Sequence, residues 1–206
     1  MNLVNNYSKV IAAINKWKNI SPSRLSFHNK DCCLGAYCWF IAMDQSFVVD
    51  GNVLRGPTWI RERWNWGPSK WPLYWCQIER LDALDCGALN ALAMEAFSRR
   101  GLKVFPAQLI QTFPLQNIQH WRKKWETKGQ KPMWILDDLV YHEATAVIIK
   151  DNIIEIWDPT DNWWILRQPA WGYGATLAIR INGTDYDTNH LKWKNMDIYI
   201  NQWTIL

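Results

Sequence analysis

The chain has 206 residues, of which 49% are hydrophobic and 20% are charged, and this composition suits a packed core and excludes intrinsic disorder. Basic and acidic residues (23 and 19) are interspersed and give a net charge of only +4, so no nucleic-acid partner is expected. Sixteen tryptophans are many for this length. They must either pack a core or line a groove for a flat or extended ligand.

The first predicted element is an amphipathic helix over residues 2–18. Its apolar residues alternate three- and four-residue spacings, unlike the unbroken apolar run of a signal peptide. No segment approaches the roughly 18 apolar residues of a membrane span, so we expect no membrane-spanning helix. The cysteines number five, an odd count, and no secretion signal is visible. We therefore expect reduced thiols and a cytoplasmic location.

Two aromatic-rich segments follow the helix. Residues 33–54 contain many aromatic and β-branched residues with Asp-Gly at 50–51, which predicts one or two strands and a hairpin. Residues 59–75 hold five tryptophans among prolines and glycines and predict an irregular connection. At this length one domain is expected, so residues 1–206 are interpreted as a single domain with an elaborated, tryptophan-rich N-terminal part of about residues 1–76.

A helix is predicted from about residue 86 to 100, because apolar residues recur on one face and Gly101 provides a C-terminal stop. Cys86 lies in its first turn, where unpaired backbone N–H groups and the helix macrodipole favour the nucleophilic thiolate. Asp85 is suited to cap this helix. Gly87 would allow a substrate backbone to approach closely.

Helical character is expected again within residues 106–125, with an interruption near Pro114. The rest of the chain has strand patterns, which cover residues 141–149, 152–157, 175–181 and 191–205. Helices first and strands last predict an α+β fold in which an antiparallel β-sheet packs on the helix that carries Cys86.

The segment YHEATAVIIKDNIIEIWDP predicts a β-hairpin that begins near His142 and ends at Asp158. With its turn near residue 151, His142 lies opposite or nearly opposite Asp158, and cross-strand neighbours are about 5 Å apart. A carboxylate at that distance can orient an imidazole, which completes a Cys-His-Asp set with Cys86. Asp161 is an alternative orienting group. Glu143 is interpreted as a surface charge.

These motifs resemble the papain-like superfamily of cysteine enzymes, and most closely the bacteriocin-leader (double-glycine) peptidase-like Cys-His-Asp domains. The matching residues are Asp85-Cys86-Gly87 followed by ALNALAMEAFSRRG, then His142 and the IWDP segment with Asp158. The resemblance covers about residues 77–165. It implies a papain-like fold and chemistry through a Cys86 thioester, in a superfamily that includes peptidases, transglutaminases, deamidases and acyltransferases.

The sequence departs from those peptidases near the nucleophile. They place a glutamine about six residues before the cysteine to help hold the oxyanion, whereas this chain has Arg80 there and Gln77 nine residues before. Gln77 is therefore the candidate oxyanion donor, together with the backbone N–H of Cys86. From sequence proximity we also expect Trp71 or Trp75 to line the approach to Cys86 and bind substrate, together with Gly87.

The expected function is that of a cysteine-dependent hydrolase or acyl or amide transferase, which acts on a peptide, amine or acyl substrate without a cofactor. One alternative is a non-catalytic binding module with a tryptophan-lined surface, and another is a glutamine-deamidating effector. A zinc site made of His28, Cys32, Cys33 and Cys38 is disfavoured, because the spacing lacks a clean C-x-x-C and the segment has a strand pattern.

Overall fold

The computed structural model describes residues 3–47, 52–165, 175–184 and 187–206. The helices in these ranges are α1 (Leu3–Trp17), α2 (Lys30–Phe47), α3 (Trp59–Arg63), α4 (Trp75–Ile78), α5 (Cys86–Arg99) and α6 (Leu115–Glu126). The strands are β1 (Asn65–Trp66), β2 (Ala83–Leu84), β3 (Val104–Thr112), β4 (Ile135–Leu136), β5 (Leu139–Lys150), β6 (Ile153–Asp158), β7 (Trp163–Trp164), β8 (Thr176–Ile181), β9 (His190–Trp193), β10 (Met196–Tyr199) and β11 (Thr204–Ile205). Over these same ranges, every helix is too short or too polar to cross a lipid bilayer.

The described strands build a large sheet that is mostly antiparallel, so the expected α+β class is confirmed. Its order is β10-β9-β6-β5-β3-β8-β11, with β4 beside β5 and β7 beside β6. The contact between β6 and β9 is parallel, and the other pairings in this sheet are antiparallel. Strand β10 also approaches β8, so the sheet is nearly closed into a barrel.

The predicted hairpin of strands β5 and β6 is confirmed. Thr145 pairs with Trp157, and Asp151 turns the chain in the left-handed region with φ of 49°. Extending this register places Ala144 opposite Asp158, so His142 is displaced from Asp158 by two residues along the strand. A diagonal neighbour of this kind remains within reach of a long side chain.

The prediction of helix across residues 106–112 is wrong, because these residues belong to β3 between β5 and β8. Pro106 is tolerated there because it lies where the ladder with β8 ends: that ladder begins at Ala107, and the Pro106 carbonyl accepts a bond from Asn182. The expected break near Pro114 is confirmed, since Pro114 precedes α6.

The prediction of strands for residues 33–47 is also wrong. These residues form most of α2, and the buried residues are spaced by three or four positions, as on one helix face. They are Cys33, Ala36, Phe40 and Asp44. Aromatic and β-branched content favoured strand, but packing against the Trp75 side chain of α4 and the Trp59 side chain of α3 decides the structure. The Asp-Gly turn at 50–51 lies outside the described residues.

Helix α5 forms where it was predicted, and it packs on β5 as expected. The buried hydroxyl of Thr145 donates to the Asn90 side chain at 2.6 Å. Asn90 is four residues after Cys86 and therefore on the same helix face, so this bond turns the Cys86 face towards β5. Alternate residues of β5, among them Ala144 and Ala146, pack on the opposite side in a separate apolar cluster.

A buried ion pair fastens the other end of α5 to the N-terminal helices. Arg100 Nη2 lies 2.6 Å from Asp44 Oδ1, and the two side chains are only 6% and 5% exposed. The same carboxylate accepts the indole N–H of Trp59 at 2.8 Å. Asp44 therefore joins α2, α3 and the residue that ends α5, and the N-terminal part packs against the helix that carries Cys86.

We expect Asp44→Ala to lower the free energy of unfolding by about 3–5 kcal/mol, because it leaves the buried Arg100 charge without its partner. Urea unfolding followed by tryptophan fluorescence measures this change. Asp31→Ala is the matched control, since Asp31 is exposed in the first turn of the same helix and its loss costs about 1 kcal/mol or less. Equal small losses in both variants would contradict the structural role of the ion pair.

Candidate active site

Cys86 begins helix α5, and its neighbour Asp85 caps that helix. The Asp85 carboxylate accepts from the backbone N–H of Ala88 at 2.9 Å, and its other oxygen accepts the indole N–H of Trp71 at 2.7 Å. The backbone N–H of Asp85 donates to the Ser69 hydroxyl at 2.8 Å. These bonds fix the chain direction into the helix, so the position of the Cys86 side chain is set before any substrate binds.

His142 lies between Cys86 and Asp158. Its Nε2 is 2.9 Å from Asp158 Oδ2, with side chains 11% and 6% exposed, and the Cys86 thiol lies close enough for its interaction with the imidazole to raise the pKa of His142. Because Nε2 faces the carboxylate, Nδ1 is the nitrogen left for the thiol. The second Asp158 oxygen accepts the backbone N–H of Thr160 at 2.8 Å. The structure therefore brings together the three residues that the sequence placed in one set.

The electrostatics of this group differ from the sequence expectation. Burial raises the pKa of the Cys86 thiol, His142 acts in the opposite direction, and the nearby carboxyl groups of Asp85 and Glu143 raise the pKa further. The helix start alone favours the thiolate, but burial has the larger effect here. Thiolate formation therefore depends on the charge of His142.

The imidazole is biased towards its charged form. Burial disfavours the imidazolium, but the carboxylate of Asp158 and the contact with Cys86 outweigh it and hold the pKa of His142 well above its usual range. The thiol and the imidazole each shift the pKa of the other, so they titrate as a coupled pair. A protonated His142 stabilises the thiolate once the Cys86 proton has left.

Glu143 is buried, so its interpretation as a surface charge is wrong. Its carboxylate accepts the backbone N–H and the hydroxyl of Ser23 at 3.0 and 3.1 Å, and the Tyr141 hydroxyl at 2.7 Å. Burial raises its pKa. A carboxylate inside a long strand of small and apolar residues was the sequence signal for this role, because such a group needs buried hydrogen-bond partners.

The network extends from Glu143 across the sheet. Gln108, directly opposite Glu143, donates to the Tyr141 hydroxyl at 2.5 Å and accepts from Arg180 Nε at 2.6 Å. Arg180 also donates to the Lys18 and Ile20 carbonyls at 2.7 and 2.6 Å. Residues 18–29, called the N-terminal loop below, are therefore held against β3, β5 and β8.

A cavity of about 400 Å³ contains Cys86, His142 and Asp158 in its lining. Five aromatic side chains form one side of it and are called the aromatic wall. They are Trp66, Phe113, Trp121, Trp125 and Trp134. Their ring centroids lie 4.8–6.1 Å apart in the observed pairs, at the spacing of packed aromatic rings. The site therefore combines a nucleophile set with an apolar chamber.

The aromatic residues predicted near Cys86 lie elsewhere. Trp75 is buried among the α2, α3 and α5 side chains, and Trp71 contacts the helix cap Asp85 but does not line the cavity. Sequence proximity was a poor guide because residues 67–84, between Trp66 and the helix cap, do not line the chamber. The helical spacing of Trp121 and Trp125, four residues apart, was the signal that places two rings on one face.

Gln77 and Gly87 have other environments than expected. The Gln77 side chain accepts the Tyr74 backbone N–H at 3.0 Å in the cap of α4, and it lines a different groove from Cys86. The geometry therefore does not place Gln77 at the nucleophile. Gly87 lines the cavity, but it packs on Ser23, whose Oγ would be 2.2 Å from an added Cβ. Its lack of a side chain admits the N-terminal loop.

A second cluster of potential ligands is separate from this cavity. His28, Cys33 and Cys76 have ligand atoms that all lie within 4.8 Å of one another. One of the two reasons for disfavouring a metal, a strand at residues 33–47, does not hold in the structure, because these residues belong to α2. The cluster contains Cys76 from α4 in place of Cys38, which the sequence pattern had grouped with His28.

Comparison with known proteins adds no relative. Neither the protein-family models, nor the curated proteins, nor the solved structures include a match to this chain. The functional interpretation therefore depends on the residues and geometry of the site itself.

We expect Asp158→Asn to raise the pH midpoint for alkylation of Cys86 by about 1 unit or more, the usual effect of an adjacent charge. Asp158 raises the pKa of His142, so its loss leaves a neutral imidazole at lower pH and removes the positive charge that stabilises the thiolate. The measurement is the initial iodoacetamide rate at Cys86 against pH, read by peptide mass spectrometry.

Asp161→Asn is the matched control, because Asp161 lines the same cavity and was the alternative orienting residue. Its midpoint should match that of the unsubstituted protein. If Asp161→Asn shifts the midpoint and Asp158→Asn does not, the orienting carboxylate has been assigned to the wrong residue.

Proposed function

We propose that this protein is a cysteine-dependent acyl-transfer enzyme of the papain-like kind. Cys86 is the nucleophile, His142 is the general base and acid, and Asp158 orients His142. The observation that carries the proposal is the His142–Asp158 hydrogen bond beside Cys86, with all three residues in the lining of one cavity. A nucleophile in contact with a base that is itself held by a carboxylate is the arrangement that covalent catalysis requires.

In the first half-reaction, the Cys86 proton passes to His142 Nδ1, and the thiolate sulfur attacks the carbonyl carbon of an ester, amide or thioester. The tetrahedral adduct carries a negative oxygen. When the adduct collapses, the bond to the leaving group breaks, and the leaving group takes the proton from His142. The products of this half are a Cys86 thioester and a free alcohol, amine or thiol.

In the second half-reaction, water or an amine attacks the thioester carbonyl while His142 accepts its proton. The C–S bond then breaks, and the proton returns to the Cys86 sulfur. Attack by water releases a carboxylic acid, and attack by an amine releases an amide. The two acceptors use the same residues, so hydrolysis and transfer are branches of one mechanism.

The negative oxygen of the adduct is assigned to the first turn of α5. Asp85 already accepts from the backbone N–H of Ala88, and the backbone N–H of Cys86 is the donor that we place at this oxygen. The positive end of the helix dipole adds to its stabilisation. Gln77 has no part in this proposal, because it lines another groove.

The aromatic wall favours a flat or extended apolar acyl group. Rings that bury a large area can hold such a group beside the nucleophile while water is displaced. Three wall or cavity residues have buried polar atoms with no partner among the described residues: the indole N–H groups of Trp66 and Trp134 and the Thr160 hydroxyl. We expect polar atoms along the substrate to meet them, because such groups are costly to leave unpaired.

Cys86→Ala should abolish turnover of nitrophenyl esters and aryl thioesters, by at least ~10³-fold, because Cys86 is the cysteine that lines the cavity beside His142 among the described residues. The intact mass of the unsubstituted protein should show a transient acyl adduct, and peptide mass spectrometry after digestion should locate that adduct on Cys86. Cys38→Ala is the control, since Cys38 is exposed on α2 and outside the cavity.

The alternatives give different results in the same experiment. A non-catalytic binding module would bind apolar ligands in the cavity but form no adduct. A glutamine deamidase would leave esters intact and add the mass of a deamidation to protein glutamines. An adduct that persists in Cys86→Ala would contradict the assigned nucleophile.

Trp121→Ala should lower kcat/KM for a benzoyl thioester about 2- to 10-fold more than for an acetyl thioester, since a lost aromatic contact is worth about 0.5–1.5 kcal/mol. Trp121 is only partly buried, so its loss leaves the core intact. Trp39→Ala is the matched control, because Trp39 is a partly buried tryptophan that does not line the cavity. If Trp121→Ala lowers kcat/KM equally for both substrates, the aromatic wall does not select the acyl group.

A further inference from the structure

His28, Cys33 and Cys76 are brought together from three separate segments. His28 belongs to the N-terminal loop, Cys33 to the first turns of α2, and Cys76 to α4. Their ligand atoms all lie within 4.8 Å of one another. Residues 28 and 76 are distant in sequence, so this convergence is a product of the tertiary structure and not of a local turn.

The distances match those between ligands of a tetrahedral zinc ion. His28 Nδ1 lies 3.5 Å from Cys33 Sγ and 3.6 Å from Cys76 Sγ. With Zn–S near 2.3 Å and Zn–N near 2.0–2.1 Å, the N···S edge of a tetrahedron is about 3.6 Å. One nitrogen therefore already has two sulfurs at the spacing that a shared metal ion imposes.

We propose that His28, Cys33 and Cys76 bind a structural zinc ion, with Cys32 as the fourth ligand. Cys32 precedes Cys33 in α2 and lines the same groove as His28 and Cys76, so it is the thiol assigned to the fourth position. The bound cysteines are thiolates, so binding releases the thiol protons to solvent. Two or three thiolates and an imidazole select zinc over the hard cations Mg²⁺ and Ca²⁺.

The surroundings of the cluster suit a complex of this charge. A Zn²⁺ ion with three thiolates and one neutral imidazole carries a net charge of −1. Three basic side chains, Lys70, Arg80 and Lys128, line the same solvent-open groove as His28, Cys32 and Cys76. The groove also gives the ion a route of entry, and the His28 ring is held by the Tyr74 ring with centroids 4.4 Å apart.

The site would fasten the N-terminal loop beside the Cys86 cavity. Next to the cluster, Ser26 exchanges backbone hydrogen bonds with Leu73 and Trp75, each at 3.1 Å. Three residues earlier in this loop, Ser23 contacts Glu143 and Gly87. The zinc ion therefore holds in place a loop whose middle, at Ser23, forms part of the wall around the nucleophile. This role is structural and independent of the proposed acyl transfer.

The test is the metal content of the full chain. Protein produced with added zinc and purified under reducing conditions without chelator should contain one zinc per chain by inductively coupled plasma mass spectrometry. Cobalt substituted for zinc should give the sulfur-to-cobalt charge-transfer absorption of a tetrahedral thiolate site. Cys76→Ser and His28→Ala should lose the metal, whereas Cys38→Ser, at an exposed cysteine of α2, should keep it.

A measurement on the unsubstituted protein guards against variants that do not fold. Removal of zinc by a strong chelator should lower the melting temperature, and added zinc should restore it. A zinc content in the unsubstituted protein no higher than in a buffer blank would overturn the proposal. Equal zinc content in the unsubstituted protein and a folded Cys76→Ser variant would overturn it too. A disulfide between Cys33 and Cys76 in the metal-free protein under the same conditions would also overturn it. Such a disulfide lowers the intact mass by two hydrogens and gives a linked Cys33–Cys76 peptide on digestion.

Discussion

The buried carboxylate of Glu143 constrains the site more than any other group described here. Burying a carboxylate is costly unless its oxygens are hydrogen-bonded, so Ser23 and Tyr141 must lie where they do. Ser23 in turn occupies the space beside Gly87, where a side chain would collide with it. One residue of β5 thus fixes both the path of the N-terminal loop and the close packing at the first turn of α5.

Three carboxyl groups near Cys86 influence the protonation of its thiol. Asp85, Glu143 and Asp158 all line the cavity that contains Cys86. Burial raises the pKa of Asp85 and of Glu143, and their charges disfavour the thiolate. Asp158 acts the other way through His142, whose pKa it raises. The proposed nucleophile is therefore activated by its histidine, while the helix start supplies a smaller contribution than the sequence suggested.

The N-terminal loop connects the two proposed sites. At one end Arg180 and Gln108 bind its backbone carbonyls, and in the middle Ser23 reaches Glu143. At the other end His28 meets the cysteines of α2 and α4. A loop anchored at several points has little conformational freedom to lose on substrate binding. The elaborated N-terminal part thus contributes to the wall of the cavity and is not only an addition to the fold.

The sequence by itself determined the local elements whose signals are local. The cap at Asp85, the helix from Cys86 and the hairpin that ends at Asp158 each follow from a few neighbouring residues, and all three are confirmed. The 3.6-residue period of the apolar residues in α5 and the turn near residue 151 were sufficient to predict the helix and the hairpin. Local hydrogen bonding and alternation of apolar and polar residues specify such elements without distant contacts. From them the sequence also placed Cys86, His142 and Asp158 in one set.

Only the tertiary structure decided which distant residues surround that set. Residues 33–47 became a helix through packing on Trp59 and Trp75, although their composition favoured strand. Trp121 and Trp125 reached the cavity because α6 crosses it, while Trp71 and Gln77, close to Cys86 in sequence, did not. Burial of Glu143 and the meeting of His28 with Cys76 likewise depend on packing between separate segments. Side-chain neighbours of this kind follow from how whole elements pack, because spacing along the chain indicates which residues share a face but not what that face meets.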